Sequence, residues 1–331
     1  LRTEAPTLAR HSRHLICQIS SSMNWDLENG DVKTAFLQGE KDEGTREVYV
    51  EPTKDVSDIL GIRSDQVMKL EGSVYGLTVA PRRWHFRVFK DLTSKGWRQH
   101  QLDPCLYMKY HDDKLIAICG VYVDDFIMAF SPCSHGKKTR QELKTIYIWG
   151  SWDVHTFKLC GVQYTQHSDY SIHLKQKEYI DSIKFAPAKK QTRNSPKHAD
   201  PEHVKILRGI NGEIQWIATN TRPDLSAGVS ISAGNVTRAT PADLQEANKL
   251  VKTAKAESDL PLIFNPIPID NLRFVSFSDS SWANRSDGSS QGGQLHLMTD
   301  KDILDGKQSW ASIIDWKSWK LKRVTRSSLA G

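Results

Sequence analysis

An apolar run from Leu115 to Val123 is broken by two adjacent carboxylates, Asp124-Asp125, and resumes at once as Phe126-Ile127-Met128-Ala129-Phe130. Its flanks are rich in β-branched and aromatic residues and read as two strands of a buried sheet. Like charges a few ångströms apart raise one another's pKa, and desolvation adds to the cost. Such a pair must be protonated, exposed at a turn or matched by a cation. On a regular strand neighbouring side chains point to opposite faces, so both can converge only if the chain turns at them. An Asp pair at a rigid strand end suits Mg²⁺, which takes one or two carboxylates together with substrate phosphates. In-line phosphoryl displacement by two metal ions uses such oxygen ligands.

A bare Asp-Asp carries little meaning, because Asp so often serves turns; Asp112-Asp113 in the same chain reads as a turn. What separates Asp124-Asp125 is the apolar flank on both sides, together with an isolated upstream carboxylate, Asp31, beside another apolar segment.

The surrounding pattern mixes helices and strands. Helices are expected over 6–22, 81–95, 136–147, 176–185, 202–218 and 240–257, the last opened by the cap Thr240-Pro241-Ala242-Asp243. Strands are expected over 48–50, 65–70, 106–110, 115–123, 126–130, 273–278 and 294–298, with a hairpin formed by 157–164 and 170–174. Two stretches, 186–201 and 261–268, read as linkers.

Composition narrows the class. The net charge is +6, with positives gathered at Arg2 to Arg13, Arg82-Arg83, Lys184 to Arg193 and Lys317 to Arg326. Each patch suits a phosphate backbone or simply a solvated surface. The five cysteines, Cys17, Cys105, Cys119, Cys133 and Cys160, are scattered and odd in number. That argues against a disulfide framework or structural zinc and for a reducing compartment. No apolar run approaches membrane-spanning length, so a soluble protein with no membrane partner is expected. The chain opens on Leu1 and closes on Gly331, and both ends are expected to be cut rather than native.

Several strings then point one way. Gly30-Asp31-Val32-Lys33-Thr34-Ala35-Phe36-Leu37-Gln38-Gly39 resembles the "DVKTAFLNG" block of copia-type reverse transcriptases. Val74-Tyr75-Gly76-Leu77 with Ala80-Pro81-Arg82-Arg83-Trp84 resembles "LYGLKQAPRxW", and Val121-Tyr122-Val123-Asp124-Asp125 resembles "YVDD". Cys160-Gly161-Val162 is similar to "LGI", Gln176 to Ile180 to "QxxYI", and Thr221-Arg222-Pro223-Asp224-Leu225 to "TRPDI". Ser278-Asp279 with Ser280 to Ala283 resembles the RNase H opening "SDADWA". The blocks fall in family order along nearly the whole chain.

The resemblance implies an α+β fold. A polymerase palm and fingers would occupy 1–186, a linker and helical thumb or connection 187–265, and a truncated RNase H-like α/β domain 266–331. It implies RNA-directed DNA polymerase activity by two-metal nucleotidyl transfer to a primer 3′-hydroxyl. The catalytic and metal residues would be Asp31, Asp124 and Asp125, holding two Mg²⁺ ions with Mn²⁺ as an alternative, and Asp124 and Asp31 rank above Asp125 as direct ligands. Phe36, Tyr75, Gly76, Tyr122 and Val123 would contact the incoming nucleotide. Phe36 matches the aromatic gate against a 2′-hydroxyl; without the resemblance it reads as an ordinary core aromatic. Leu159 to Tyr164 match the segment that steadies the primer end, or are an ordinary hairpin. Asp279 is the recognisable RNase H carboxylate, and that activity is expected to be absent.

Partners implied are an RNA template, a DNA primer, deoxynucleoside triphosphates and other polyprotein products, in an intracellular setting, particle-associated in the cytoplasm with the nucleus as a second site. Some positions depart from the family: Thr78-Val79 replace "KQ", the "LGI" block reads Leu159-Cys160-Gly161-Val162, and the basic fingers strand is expected upstream of Leu1. The competing reading is a catalytically dead element fragment that retains only RNA or DNA binding.

Overall fold

The apolar run and its continuation form two strands of one antiparallel sheet, and the chain reverses between them at Val123-Asp124. The computed structural model describes residues 4–39, 47–187 and 199–322. Arg2, most of the 186–201 linker with its basic residues, and the basic and Ser-rich stretch from residue 323 onward lie outside the described residues. Two compact units emerge, Leu1–Ile16 with Leu27–Val154, and Cys17–Asp26 with His155–Gly331.

In the first unit the elements run α1 (Arg10–Met23, whose later turns belong to the second unit), β1 (Leu27–Val32), β2 (Val48–Val50), α2 (Lys54–Leu60), β3 (Met68–Leu70), α3 (Ala80–Ser94), β4 (Arg98–Gln99), β5 (Leu106–His111), β6 (Lys114–Tyr122), β7 (Asp125–Phe130), α4 (Ser134–Ile146) and β8 (Trp149–Val154). Among the described residues the main sheet has the order β4-β5-β6-β7-β1-β8, and β2 pairs with β3 separately. The strand order brings β1, far away in sequence, beside β7, with Asp31 opposite Asp125.

Both faces of this sheet are covered. On α3, Trp84, Val88 and Leu92 recur every four residues and are buried, with Pro81 in the first turn where a missing N–H costs nothing. They pack with Leu143 of α4 against Val32, Phe126, Met128 and Phe130. Burying each such side chain stabilises the unit by about 1.5–3 kcal/mol. On the other face, a Cβ on Gly120 would lie 2.5 Å from Leu8 and 2.7 Å from Ile16, so the glycine admits those side chains against the strand. Asp112 and Asp113 both have positive φ, the pattern of a tight two-residue hairpin turn, as expected for that pair.

The second unit holds β9 (Thr156–Leu159), β10 (Val162–Gln166), β11 (Ile172–Lys175), α5 (Lys177–Ser182), α6 (Pro201–Asn220), α7 (Ser226–Asn235), α8 (Pro241–Ala256), β12 (Leu262–Phe264), β13 (Leu272–Ser281), β14 (Gln291–Asp300) and β15 (Ala311–Lys320). Its sheets run β12-β11-β10-β9 and β13-β14-β15, all antiparallel. Helices α5 to α8 share a core built on Ile180, Leu207, Ile214, Leu225, Leu244 and Val251. The predicted cap of α8 is present as a reciprocal Thr240–Asp243 box.

The mixed architecture agrees with α+β. Several local expectations change. Residues 157–164 do not form one strand, because Cys160-Gly161, both at positive φ, turn the chain between β9 and β10. The stretch 261–268 is more than a linker: 262–264 form β12, paired to β11 with Leu262 and Phe264 buried. Further elements went unexpected, among them α2, β4, α7, β8 and β15. α7 is made of small residues with little amphipathic pattern, and β8 and β15 read as aromatic and basic clusters until their pairing is seen.

Candidate active site

The reversal at Val123-Asp124 is a two-residue turn in which Val123 has φ +59°. A β-branched residue rarely adopts that conformation, which costs of order 1–3 kcal/mol and persists only when the surroundings enforce it. Both turn carbonyls are held. The indole N–H of Trp84 donates to the Val123 oxygen at 2.6 Å, and the Val32 N–H donates to the Asp124 oxygen at 2.9 Å. The buried stripe of α3 and the β1 strand thus clamp the turn from two directions.

Tyr122, Asp125, Asp31 and Ser151 form one row across β6, β7, β1 and β8. Residues directly opposite in antiparallel strands share a face, so the Asp31 and Asp125 carboxylates stand side by side, with Asp124 in the adjoining turn. Burial and then the Asp124 charge raise the Asp31 pKa. Burial, then Asp124, then Asp31 push Asp125 up to about 6, while a hydrogen bond with the Asn29 side chain works the other way. Asn29 lies two residues before Asp31 on the same strand, hence on the same face. Its role was legible only from that spacing, once β1 is known to be a strand. Trp84 belonged to a recognised string, yet nothing in it announced a bond to the turn.

The three carboxylates are therefore brought together, and burial, neighbouring carboxylates and one amide set the shifts, with no cationic side chain offsetting them. Among the described residues no group of three or more His, Cys, Asp or Glu side chains is arranged to hold a metal ion. An all-oxygen set with unrelieved repulsion fits a hard divalent cation that completes its shell with waters and substrate phosphates.

Phe36 sits in a 3-10 turn, Ala35–Gln38, just after β1, and its ring lies 5.0 Å from that of Tyr75 at a tilt of 49°. Phe36 is half-buried against the core, while Tyr75 is exposed. Gly76 follows at φ +97° with open space where a side chain would project. These expected nucleotide contacts meet one another. The Leu159 to Tyr164 hairpin and Asp279, exposed on β13, belong to the second unit.

All five cysteines are free thiols. Among the described residues no helix is long and apolar enough to cross a membrane.

The chain is similar to several known proteins. The chain is 26% identical to the retrovirus-related Pol polyprotein from transposon RE2 of Arabidopsis thaliana, over 98% of this chain and 22% of that protein. It is 32% identical over 38% of its length to the Pol polyprotein from transposon TNT 1-94 of Nicotiana tabacum, covering 9% of it. It is also 24% identical to the putative transposon Ty5-1 protein of Saccharomyces cerevisiae, over 90% of this chain and 98% of that one. The chain thus spans about a fifth of the length of its Arabidopsis relatives. The family model described as reverse transcriptase (RNA-dependent DNA polymerase) matches residues 1–197, the stretch that carries the clamped acidic turn, Asp31 and Phe36. On that match, and on its copia-type Pol relatives, the chain belongs to the reverse transcriptase family.

Proposed function

We propose that this chain carries the RNA-directed DNA polymerase centre of a copia-type retrotransposon polyprotein, extending a DNA primer on an RNA template. The observation that carries this reading is the pairing of Asp31 opposite Asp125 beside the clamped Asp124 turn. In the reaction the primer 3′-hydroxyl oxygen attacks the α-phosphorus of a deoxynucleoside triphosphate, the bond to the bridging oxygen breaks and pyrophosphate leaves. Asp31 and Asp124 would hold the divalent ions, Mg²⁺ with Mn²⁺ as a substitute. Asp125, more buried and hydrogen-bonded to Asn29, would contribute less. Bound Mg²⁺ would supply the positive charge that offsets the phosphates and eases loss of the hydroxyl proton.

The chain's own residues position. The strained turn fixes Asp124, and Asn29 holds Asp125. The Phe36–Tyr75 pair offers an aromatic surface for the sugar, and Gly76 lets backbone approach the nucleotide. Tyr122 and Val123 line the same end of the sheet. Rigid placement of this kind supplies much of the rate in phosphoryl transfer.

In this reading 1–186 are palm and fingers, 187–265 linker and thumb or connection, and 266–331 an RNase H-like sheet bearing Asp279. The antiparallel β13-β14-β15 sheet supports the last assignment. The setting is intracellular, with other polyprotein products as neighbours. Primer extension on an RNA template with Mg²⁺, comparing the chain with Asp124→Asn, tests the proposal. Extension by the parent and loss in the variant is expected. No extension by either, with hybrid binding retained, would favour a fragment that binds nucleic acid without catalysis.

A further inference from the structure

Beside Asp31 the β1–β8 ladder carries an irregularity. Asp31 pairs with Ser151 and Val32 with Trp149, so Gly150 is an extra residue on β8, a β-bulge. Bulges bend one strand and re-aim the side chains around them. A Cβ built on Gly150 would lie 2.6 Å from Asp31 Oδ2, closer than real Cβ contacts come, and 3.6 Å from the Asp31 carbonyl oxygen. Gly150 does not occupy the left-handed region, so backbone conformation does not demand glycine there. What demands it is the carboxylate.

The backbone at this point is poorly placed to yield. The Ile148 oxygen accepts from the Lys33 N–H at 2.9 Å and from the Gln38 amide at 3.2 Å, and the Ile148 N–H donates back to Gln38 Oε1 at 3.2 Å. Trp149 fills the space over Gly30, where a Cβ would lie 2.6 Å from its ring. It also packs edge-on to Phe126 at 5.2 Å and to Trp152 at 4.7 Å. Both residues preceding Gly150 are thus anchored. The movable group is the Asp31 carboxylate, which can swing about its own side-chain torsions.

We propose that Gly150 is a positioning residue for the polymerase centre. By lacking a side chain at the β8 bulge, it leaves the space that the Asp31 carboxylate occupies when it takes up a divalent cation. This rests on the polymerase reading above only for its catalytic consequence; the effect on cation binding stands separately. Changing a group that orients a metal ligand typically costs about 10- to 100-fold in metal affinity or activity.

The test uses Mn²⁺ as the probe, bound to the whole chain and followed by electron paramagnetic resonance, with Asp31→Asn setting the baseline. Gly150→Ala is compared with the parent and with Val154→Ala, farther along the same strand opposite Glu28, alongside thermal unfolding of each. The expected result is a folded Gly150→Ala protein with a near-parental melting temperature. Its Mn²⁺ affinity should fall at least about 10-fold and its extension should need a higher Mg²⁺ concentration, with Val154→Ala unchanged. Equal Mn²⁺ affinity in Gly150→Ala and parent overturns the proposal. So does a Gly150→Ala protein that is unfolded, since the glycine would then serve the fold, or a parent whose Mn²⁺ binding Asp31→Asn does not weaken. Mn²⁺ binding that follows the expected pattern without any primer extension sinks the polymerase reading alone.

Discussion

Trp84 and Val123 are joined by a single hydrogen bond, from indole N–H to carbonyl oxygen at 2.6 Å, that ties the buried face of α3 to the strained residue before Asp124. Trp84 also packs edge-on to Tyr147 at 5.3 Å, so the donor is held by its ring. Trp84→Phe keeps an aromatic ring and removes the donor, leaving a turn carbonyl short of a partner. Unfolding stability should fall by about 1–3 kcal/mol, with a larger proportional loss in extension rate than in primer–template binding. Denaturant unfolding and steady-state extension check this. Unchanged extension would mean the turn is held without Trp84.

Val123 stores strain that glycine would release. Val123→Gly removes a left-handed β-branched residue, worth about 1–3 kcal/mol, against about 0.5–1 kcal/mol of added chain entropy. The variant should be as stable as the parent or more stable by roughly 1 kcal/mol, by urea unfolding. A clear loss of stability would show that the valine side chain contributes packing that outweighs the strain.

Asp125 gives the unit a distinctive pH response. Its carboxyl is raised from 3.8 to about 6, so between those values the folded state binds the proton that the unfolded state has lost. Its contribution to stability is full below the ordinary value and disappears as pH rises through about 6. In metal-free buffer Asp125→Asn should therefore flatten the fall in melting temperature between about pH 4 and 6 and melt above the parent beyond it. Added Mg²⁺ should stabilise the parent more than the variant. Parallel melting curves for the two proteins would contradict the shift.

Phe36 touches Tyr75 where the nucleotide sugar is proposed to lie. Phe36→Ala should relax discrimination against ribonucleotides by roughly 10-fold or more, measured as the ratio of kcat/KM for matched deoxy- and ribonucleotides. Unchanged discrimination would return Phe36 to the role of core aromatic.

Arg222, 1% exposed in its side chain, pairs in a fork with Asp224 at 2.8 and 2.9 Å and donates to the carbonyls of Ala254 and Glu257 at the end of α8. Lysine cannot reproduce this planar set of donors. Arg222→Lys should destabilise the second unit by about 1–3 kcal/mol, read by thermal unfolding. A loss below about 1 kcal/mol would show the network to be dispensable.

Much of this was legible along the chain. The hairpin around Asp124, the turn at Asp112-Asp113, the α3 stripe and the α8 cap each follow from residues within a few positions of one another. α7 was not legible, because small residues carry no helical pattern. β8 and β12 were not either, since a short strand declares itself only through its partner.

The same division runs through the candidate site. Local sequence determines which residues are chemically able to act: an Asp pair between apolar strands, an isolated third Asp beside an apolar segment, an aromatic following it. Only the tertiary structure decided that β1 lies against β7, which sets Asp31 opposite Asp125 and lets Asn29 reach across. It also decided that α3 delivers Trp84 to the turn and that β8 bulges at Gly150 to leave room for a carboxylate. The reason is physical: charge repulsion, desolvation and steric room depend on distances between segments about 40 to 120 residues apart, and pairing register, which sets those distances, is a property of the folded sheet.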